Sequence, residues 1–425
     1  MKKKVFILDY ELISPISLGQ NHLFSNLANN TSADRLLKRI STEAIPFKKA
    51  AEVQEKLTNL YSNESEIIKE ICKYDRKFEL LVACYGLASQ RMAPLIEKIK
   101  IARAGVILGV GADVIPFENL QDKLVSYIRN SKNPLNELVS EINYKKGYLN
   151  IINNPYDIHA IFLAEKFNAA EFQHTVLTAC VSSTQALAFA YDSIAENESD
   201  VVIAGGTDSL INMLAIISFG KLGVISESTE EPCCRPFDIN RNGTLAGECA
   251  GFAILASEKF VIENKLQPIA QFMGYGNTLD AYKITAPDPG GLSISKAIKN
   301  AVDYSGINVS KIDYINAHGT GTKQNDLIEL RAFENALGPE VKEIPISSTK
   351  DRHGHAIAAA GIQELCVLLE CFKNNFIPGN LNLLKPCDSS FNTLINNQSK
   401  RINYALTSNF AFGGINTVLA LKNET

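Results

Sequence analysis

The chain lacks several features that would place it in a common protein class. Its nine cysteines are Cys72, Cys84, Cys180, Cys233, Cys234, Cys249, Cys366, Cys371 and Cys387. They form no Cys-x-x-Cys pair, and their number is odd. This argues against a zinc cage or a disulfide framework and fits reduced thiols in a cytoplasmic protein. No apolar run is long enough to span a membrane. No low-complexity linker divides the chain. Concentrated positive charge is also missing: 42 Lys and Arg are scattered against 46 Asp and Glu, for a net charge of −4. A nucleic-acid partner held by bulk charge is therefore not expected. The opening MKKKVFIL has the look of a signal peptide, but Asp9 and Glu11 interrupt its apolar run and no small-residue cleavage site follows. It reads as a first strand with its lysines at the solvent end. Histidine is scarce, with six in all, so where each one sits carries information.

What is present is ample apolar content. At 425 residues and 46% hydrophobic composition, the chain can build a large core and two structural halves. Residues 31–100 read as mostly helical and polar. From about residue 104 the texture changes. AGVILGVG (104–111) and DVVIAGGTD (200–208) read as buried strands ending in glycine. Residues 343–349 carry similar apolar punctuation, and ALTSNFAFGGINTVLAL (405–421) reads as two strands around a glycine turn. Apolar strands alternating with helical stretches predict an α/β protein with a largely buried sheet. The rhythm suggests two similar halves, 1–257 and 258–425, although no direct sequence repeat is visible.

HTVLTACVSSTQ (174–185) reads as strand, sharp turn, then helix, with Cys180 in the turn. A lone cysteine is most often a small buried hydrophobe. At a helix start, however, free N–H groups and the macrodipole favour an anion, which predicts a lowered thiol pKa. Two other stretches favour chemistry. NAHGTGTKQND (316–326) puts His318 in a Gly/Thr loop after an apolar strand, where it faces a ligand more readily than a core. STKDRHGHAIAAAG (348–361) puts His355 at an alanine-lined helix start, with Lys350 five residues earlier. A thiolate attacking a thioester needs oxyanion donors. The turn SNFAFGG (408–414) is a second source of N–H groups beside the helix start. His22, His159 and His174 have no partner motif. His353 is expected to point away from the site, in a structural or surface role. Asn63–Lys77 reads as a solvated helix face, and Cys233-Cys234 as an inert loop pair.

TAC-V-SS, HGTGT, K-DRHGH-AIAAAG and NFAFGG, in this order and spacing, resemble the β-ketoacyl-[acyl carrier protein] synthases of the elongating, Cys-His-His branch. CRPFDINRNGTLAGECAGFAIL (234–255) and DAYKITAPDPGG (280–291) also resemble that family. The resemblance implies a thiolase-like duplicated αβαβα five-layer fold, usually dimeric. It implies acyltransferase activity: decarboxylative condensation of an acyl-Cys enzyme with malonyl carrier protein, in fatty acid or polyketide synthesis. By the same resemblance Cys180 accepts the acyl group, His318 and His355 support decarboxylation, and Lys350 supports the site electrostatically. The N–H groups of Cys180 and Phe412 would form the oxyanion hole. Thr320 and Thr322 would contact the phosphopantetheine arm, and Phe410 and Phe412 would lie on the loop gating the acyl pocket. Glu364 and Asp326 would be supporting acids. No metal or dissociable cofactor is implied, since the phosphopantetheine arrives on the acyl carrier protein. The partner chain would be a second copy or a chain-length factor.

Some positions depart from the family's usual pattern. The first strand reads FILDYELISPIS where a glycine-containing turn is usual. Ala411 and Cys249 stand in place of glycines, and Lys283 in place of a histidine. Asp113 falls near the region that limits acyl-chain length. These changes leave the triad intact and imply a specialised pathway enzyme. Two rival readings are weaker. A non-catalytic chain-length subunit usually lacks the cysteine, and a thiolase carries a second catalytic cysteine that NFAFGG does not provide.

Overall fold

The structure is a computed structural model, and it describes all residues except 1–2, 44, 113–155 and 231. Ten strands form its centre: β1 Val5–Ser14, β2 Ala104–Val110, β3 Phe172–Val176, β4 Val201–Ser209, β5 Glu248–Ser257, β6 Ala270–Leu279, β7 Tyr314–Asn316, β8 Ile346–Ser347, β9 Tyr404–Phe410 and β10 Ile415–Asn423. The first five lie in the spatial order β1-β5-β4-β2-β3, and the second five in the order β6-β10-β9-β7-β8. Each set therefore has the same path, first-fifth-fourth-second-third. The directions match as well. β1/β5 and β5/β4 are antiparallel, and β4/β2 and β2/β3 are parallel. β6/β10 and β10/β9 are antiparallel, and β9/β7 and β7/β8 are parallel. The duplication that sequence rhythm only suggested is thus visible in topology. A short antiparallel ladder, Val5–Ile7 against Ala270–Phe272, joins the two sets.

Six helices complete the layers: α1 Arg76–Ile99, α2 Ile158–Phe167, α3 Ser182–Ala195, α4 Leu292–Ser305, α5 Asn325–Leu337 and α6 Ala360–Asn374. α1 and α2 pack on the first sheet, and α4 packs on the second with α5 beside it in the same apolar cluster. α3 and α6 touch strands of both sheets and fill the middle, which gives the thiolase-like αβαβα stack. The middle position explains their composition. In α3 every residue except Phe189 and Asp192 is buried, and in α6 every residue from Ala360 to Phe372 is buried. Small and apolar side chains dominate a helix covered on both sides, and the buried Glu364 and Glu370 of α6 are hydrogen-bonded.

Glycine makes the close approaches. A Cβ on Gly109 of β2 would lie 2.3 Å from the Ser183 backbone nitrogen, so only glycine lets α3 enter at that depth. Gly247, just before β5, would meet His353 and His355 backbone in the same way.

Two sequence expectations change. Helix in 31–100 is confined to Glu66–Tyr74 and α1, preceded by one four-residue 3-10 turn. Asp75 is extended, caps α1 by accepting from the Phe78 N–H, and breaks what reads as one continuous pattern. The stretch Asn63–Lys77 is not a solvated face throughout. Its Glu66–Lys69 and Glu70–Lys73 pairs are at the surface. Arg76 instead makes a two-pronged contact with the buried Glu248 carboxylate, Lys77 donates to the Gly111 carbonyl, and Asp75 pairs with His159. Periodicity cannot separate such charges from solvated ones, because their partners lie far along the chain. Among the described residues, no helix is long and apolar enough to cross a membrane.

Candidate active site

The nucleophile candidate is set by a turn that runs against ordinary backbone preference. Thr178 ends the extended chain after β3, and Ala179 lies in the left-handed region at φ 50°. Cys180 then occupies a single 3-10 turn before α3. Ser182 ties the turn: its Oγ accepts from the Thr178 N–H at 2.9 Å and donates to the Ala179 carbonyl at 2.8 Å. Backbone strain of this kind costs about 1–3 kcal/mol and persists where the surroundings over-determine it.

His318 follows β7, and His355 follows the short helix Lys350–His353. Fold closure brings both to Cys180. The cysteine Sγ and one ring nitrogen of each histidine lie within 4.8 Å of one another. The two imidazoles meet edge to face at 5.3 Å, and Phe410 stands edge-on to His318 at 5.9 Å. All three reacting groups are buried.

A polar network fixes His318. Its backbone N–H and that of Gly319 donate to Glu329 at 2.7 and 2.8 Å. Lys350 Nζ donates to the His318 carbonyl at 2.6 Å and also to Glu364. Asn409 Nδ2 donates to Glu364 Oε2 at 2.7 Å and to His318 Nδ1 at 3.2 Å. The Glu364 carboxylate, which only accepts, fixes the amide orientation, and Asn409 Oδ1 in turn accepts from Thr184 at 2.5 Å. His318 Nδ1 is therefore an acceptor, and its proton is assigned to Nε2.

This assignment bears on metal binding. Cysteine and two histidines are a plausible ligand set by type. A ligating histidine, however, normally donates its second N–H to a carboxylate or carbonyl. Here the second nitrogen receives a proton donor instead, so the network does not suit a metal centre.

Burial dominates the electrostatics. It pushes the Cys180 thiol up to about 12, with the Lys350 charge opposing and Asp208 adding to the rise. This corrects the expectation of a lowered thiol pKa. The N–H groups of Phe412 and Cys180 do point at the sulfur and favour the anion, but removal from water outweighs them. Burial, with Lys350 beside them, also holds both His318 and His355 well below the usual imidazole range. Both rings are thus neutral near pH 7, each with one N–H to donate.

A cavity of about 600 Å³ opens onto the triad. Leu210, Phe219, Ile225 and Ile357 give it an apolar wall, and Thr320, Thr322 and Asn242 a polar one. Thr320 and Thr322 share a hydroxyl contact at 3.0 Å. Phe412 stacks on Phe219 at 6.2 Å, and Ala411 packs against the apolar cluster that contains Cys180. Lys283 also lines this cavity. Asp326 sits behind the Gly/Thr loop, accepting from the Phe237 and Gly321 N–H groups.

Lys350 and Glu364 are buried partners in the network and not solvated charges. His353 is buried as well. It contacts the Thr349 hydroxyl at 2.7 Å and plays a structural part. Asp113 lies outside the described residues. Sequence reasoning missed Asn409, Glu329 and Asp208. Glu329 lies one helical turn after Asp326 on the same face of α5, and that i, i+3 spacing was its one available signal.

Comparisons with known proteins agree with this geometry. The model of the beta-ketoacyl synthase N-terminal domain matches residues 3–260, and that of its C-terminal domain matches residues 269–384. A 3-oxoacyl-[acyl-carrier-protein] synthase 2 of Coxiella burnetii is 28% identical over 429 residues, covering 99% of each chain. The protein of the same name from Rhizobium meliloti is 29% identical over 433 residues, covering 100% of this chain and 99% of its own. Among solved structures, the ishigamide ketosynthase/chain length factor superposes with a TM-score of 0.84 at 23% identity over the whole of both chains. A beta-ketoacyl synthase from Burkholderia phymatum gives 0.83 at 23% identity, covering 99% of each chain. With both domain models matched in order along its length, the chain belongs to the beta-ketoacyl synthase family.

Proposed function

We propose that this enzyme condenses an acyl group held on Cys180 with a malonyl unit delivered by an acyl carrier protein. The convergence of the Cys180 sulfur with two neutral, N–H-bearing imidazoles in one cavity carries the reading. In the first step the Cys180 sulfur attacks the carbonyl of an acyl thioester. The carrier's C–S bond breaks, and the thiol proton ends on the departing carrier sulfur. The Cys180 and Phe412 N–H groups would hold the tetrahedral oxyanion. A malonyl carrier then enters. Its C–C bond breaks to release CO2, and the electron pair moves onto the thioester oxygen as an enolate. His318, with its proton on Nε2, and His355 would donate to that oxygen. The enolate carbon attacks the acyl-Cys180 carbonyl, the Cys180 sulfur leaves as a thiolate that takes a proton from solvent water, and a 3-ketoacyl carrier protein departs.

Thr320 and Thr322, on the polar wall, would hold the phosphopantetheine arm that the carrier brings, and Phe410 and Phe412 would line the gate. Lys350 and Glu364 would hold His318 in place, and Asp326 would hold its loop. No metal or dissociable cofactor is required by this route. A dimer is proposed, with a second copy or with a chain-length factor. In support, one structural relative is described as a ketosynthase in complex with its chain length factor. Another is described as an acyl-carrier protein in complex with its ketosynthase.

The test is intact-protein mass after incubation with acyl carrier proteins of several chain lengths, beside Cys180→Ala. The expected result is an adduct on Cys180 that disappears, with CO2 release, when malonyl carrier protein is added. If no donor loads the folded protein, the reading fails.

A further inference from the structure

Among the buried carboxylates that the mechanism leaves unused, Asp208 is the one whose charge acts on Cys180. Asp208 is the next-to-last residue of β4. Its Oδ2 accepts from the Ala358 N–H at 3.0 Å, and its Oδ1 from the Ser209 N–H at 2.8 Å. The side chain lies directly over Gly111: a Cβ there would be 1.9 Å from Oδ1. Asp208 is thus held in one place by the backbone around it.

Ala358 belongs to the turn that follows His355. Its neighbour Ile357 is left-handed, at φ 38°, although it is β-branched. Such a residue is an outlier in that region. Ile357 and His355 both line the cavity. Three other bonds dock this segment: the His355 N–H donates to the Leu245 carbonyl at 2.8 Å, the Gly247 N–H donates to the His355 carbonyl at 3.1 Å, and the Ile362 N–H donates to Ser183 Oγ at 3.1 Å. Between them, the Asp208–Ala358 bond is the side-chain contact on the turn itself. Gly206, two residues before Asp208, leaves room for the turn to close on β4, since a Cβ there would lie 3.1 Å from the Ala358 carbonyl oxygen.

We infer that Asp208 is a positioning residue for His355: by anchoring the Ala358 N–H it holds Ile357 in its strained conformation and thereby sets the imidazole against Cys180. The strained turn stores a preference to relax, and relaxation would swing the chain between His355 and Ile362. The two half-reactions separate this role from simple stability. Acyl loading uses the thiol and the N–H donors, whereas decarboxylation uses the imidazoles. The inference rests on the proposed reaction for its kinetic consequences but not for its structural one.

The experiment pairs the crystal structure of Asp208→Ala with rates in a double-mutant cycle. In that structure Ile357 is expected to leave the left-handed region and His355 to shift from Cys180. Misplacement on the scale of 1 Å costs about 10²-fold, so malonyl decarboxylation is expected to fall by about that factor while acyl loading stays within about threefold of wild type. Glycine takes positive φ without strain. In an Ile357→Gly background, Asp208→Ala is therefore expected to cost much less, which gives strong coupling between the two sites. Unchanged Ile357 and His355 positions in Asp208→Ala overturn the inference whatever the activity. Equal losses in both half-reactions, with additive mutant effects, also overturn it by reducing Asp208 to general stability. Failure of the wild-type enzyme to load or decarboxylate would strike the proposed function and leave the structural test of Asp208 to be decided on its own.

Discussion

At the residue scale, the site uses burial to set protonation and hydrogen bonds to set direction. A Cys180 thiol raised to about 12 is a resting thiol, not a standing thiolate. Its alkylation by iodoacetamide is therefore expected to speed up steadily with pH past 9. A plateau by pH 8 would show a thiolate already formed and contradict the burial argument. Asn409 makes a sharper case. Replacing it with Asp exchanges a donor for an acceptor opposite His318 Nδ1, which draws the proton to Nδ1 and strips it from Nε2. Asn409→Asp is expected to lower malonyl decarboxylation by at least about 10²-fold, the order seen when one oxyanion donor is lost. Acyl loading on Cys180 should persist. A wild-type decarboxylation rate in that variant would mean that the assigned tautomer is wrong.

At the element scale, the positions of α3 and α6 between two sheets decide what can change. Gly109 faces the first turn of α3 with no space for a methyl group. Gly109→Ala is expected to destabilise the fold by about 3 kcal/mol, the upper end for overpacking, and to displace Cys180 with the helix start. Denaturant titration checks this, and an unchanged midpoint would show that α3 can retreat without cost. Much of this scale was legible in the sequence. The strand at 200–208, the strand-turn-helix around Cys180 and the glycine hairpin at 405–421 stand where composition put them, because buried elements leave short apolar signatures bounded by glycine. Residues 31–62 were not legible. There the chain packs Leu37, Ile40, Ile45 and Phe47 against the apolar wall beside Cys180, and such packing has no period.

At the scale of the whole molecule, buried titratable groups tie stability to pH. His353 is held down to about 3 by burial, while an unfolded chain protonates it near 6.5. Its neutral form is thus favoured in the fold above pH 6.5, and that stability is lost as pH falls from 6.5 toward 3. The slope is about 1.4 kcal/mol per pH unit for one proton. His318 and His355 act in the same direction. Glu329 opposes them. Burial raises it to about 7, so its contribution favours the fold at low pH and is lost as pH rises from about 4.5 to 7. His353→Gln is expected to flatten the decline in denaturation free energy between pH 6.5 and 5.5 by close to that one-proton slope. An identical pH dependence in the variant would show that His353 takes up its proton as readily in the folded protein as in the unfolded chain.

Taken alone, the sequence determined the fold class, the ordered motifs and the identity of Cys180, His318, His355 and Lys350 as the chemical candidates. These are local facts: a small-residue turn, a glycine loop and an alanine-lined helix start each need particular neighbours in the chain. Tertiary structure decided the rest. Asn409 faces His318 from 91 residues away, and Asp208 reaches Ala358 across 150 residues. Asn409 fixes the tautomer of His318, Asp208 pins the turn after His355, and the depth of the cavity sets the state of Cys180. Hydrogen bonds and desolvation act through space, and only the closing of two like sheets over a shared helical layer brings those groups together.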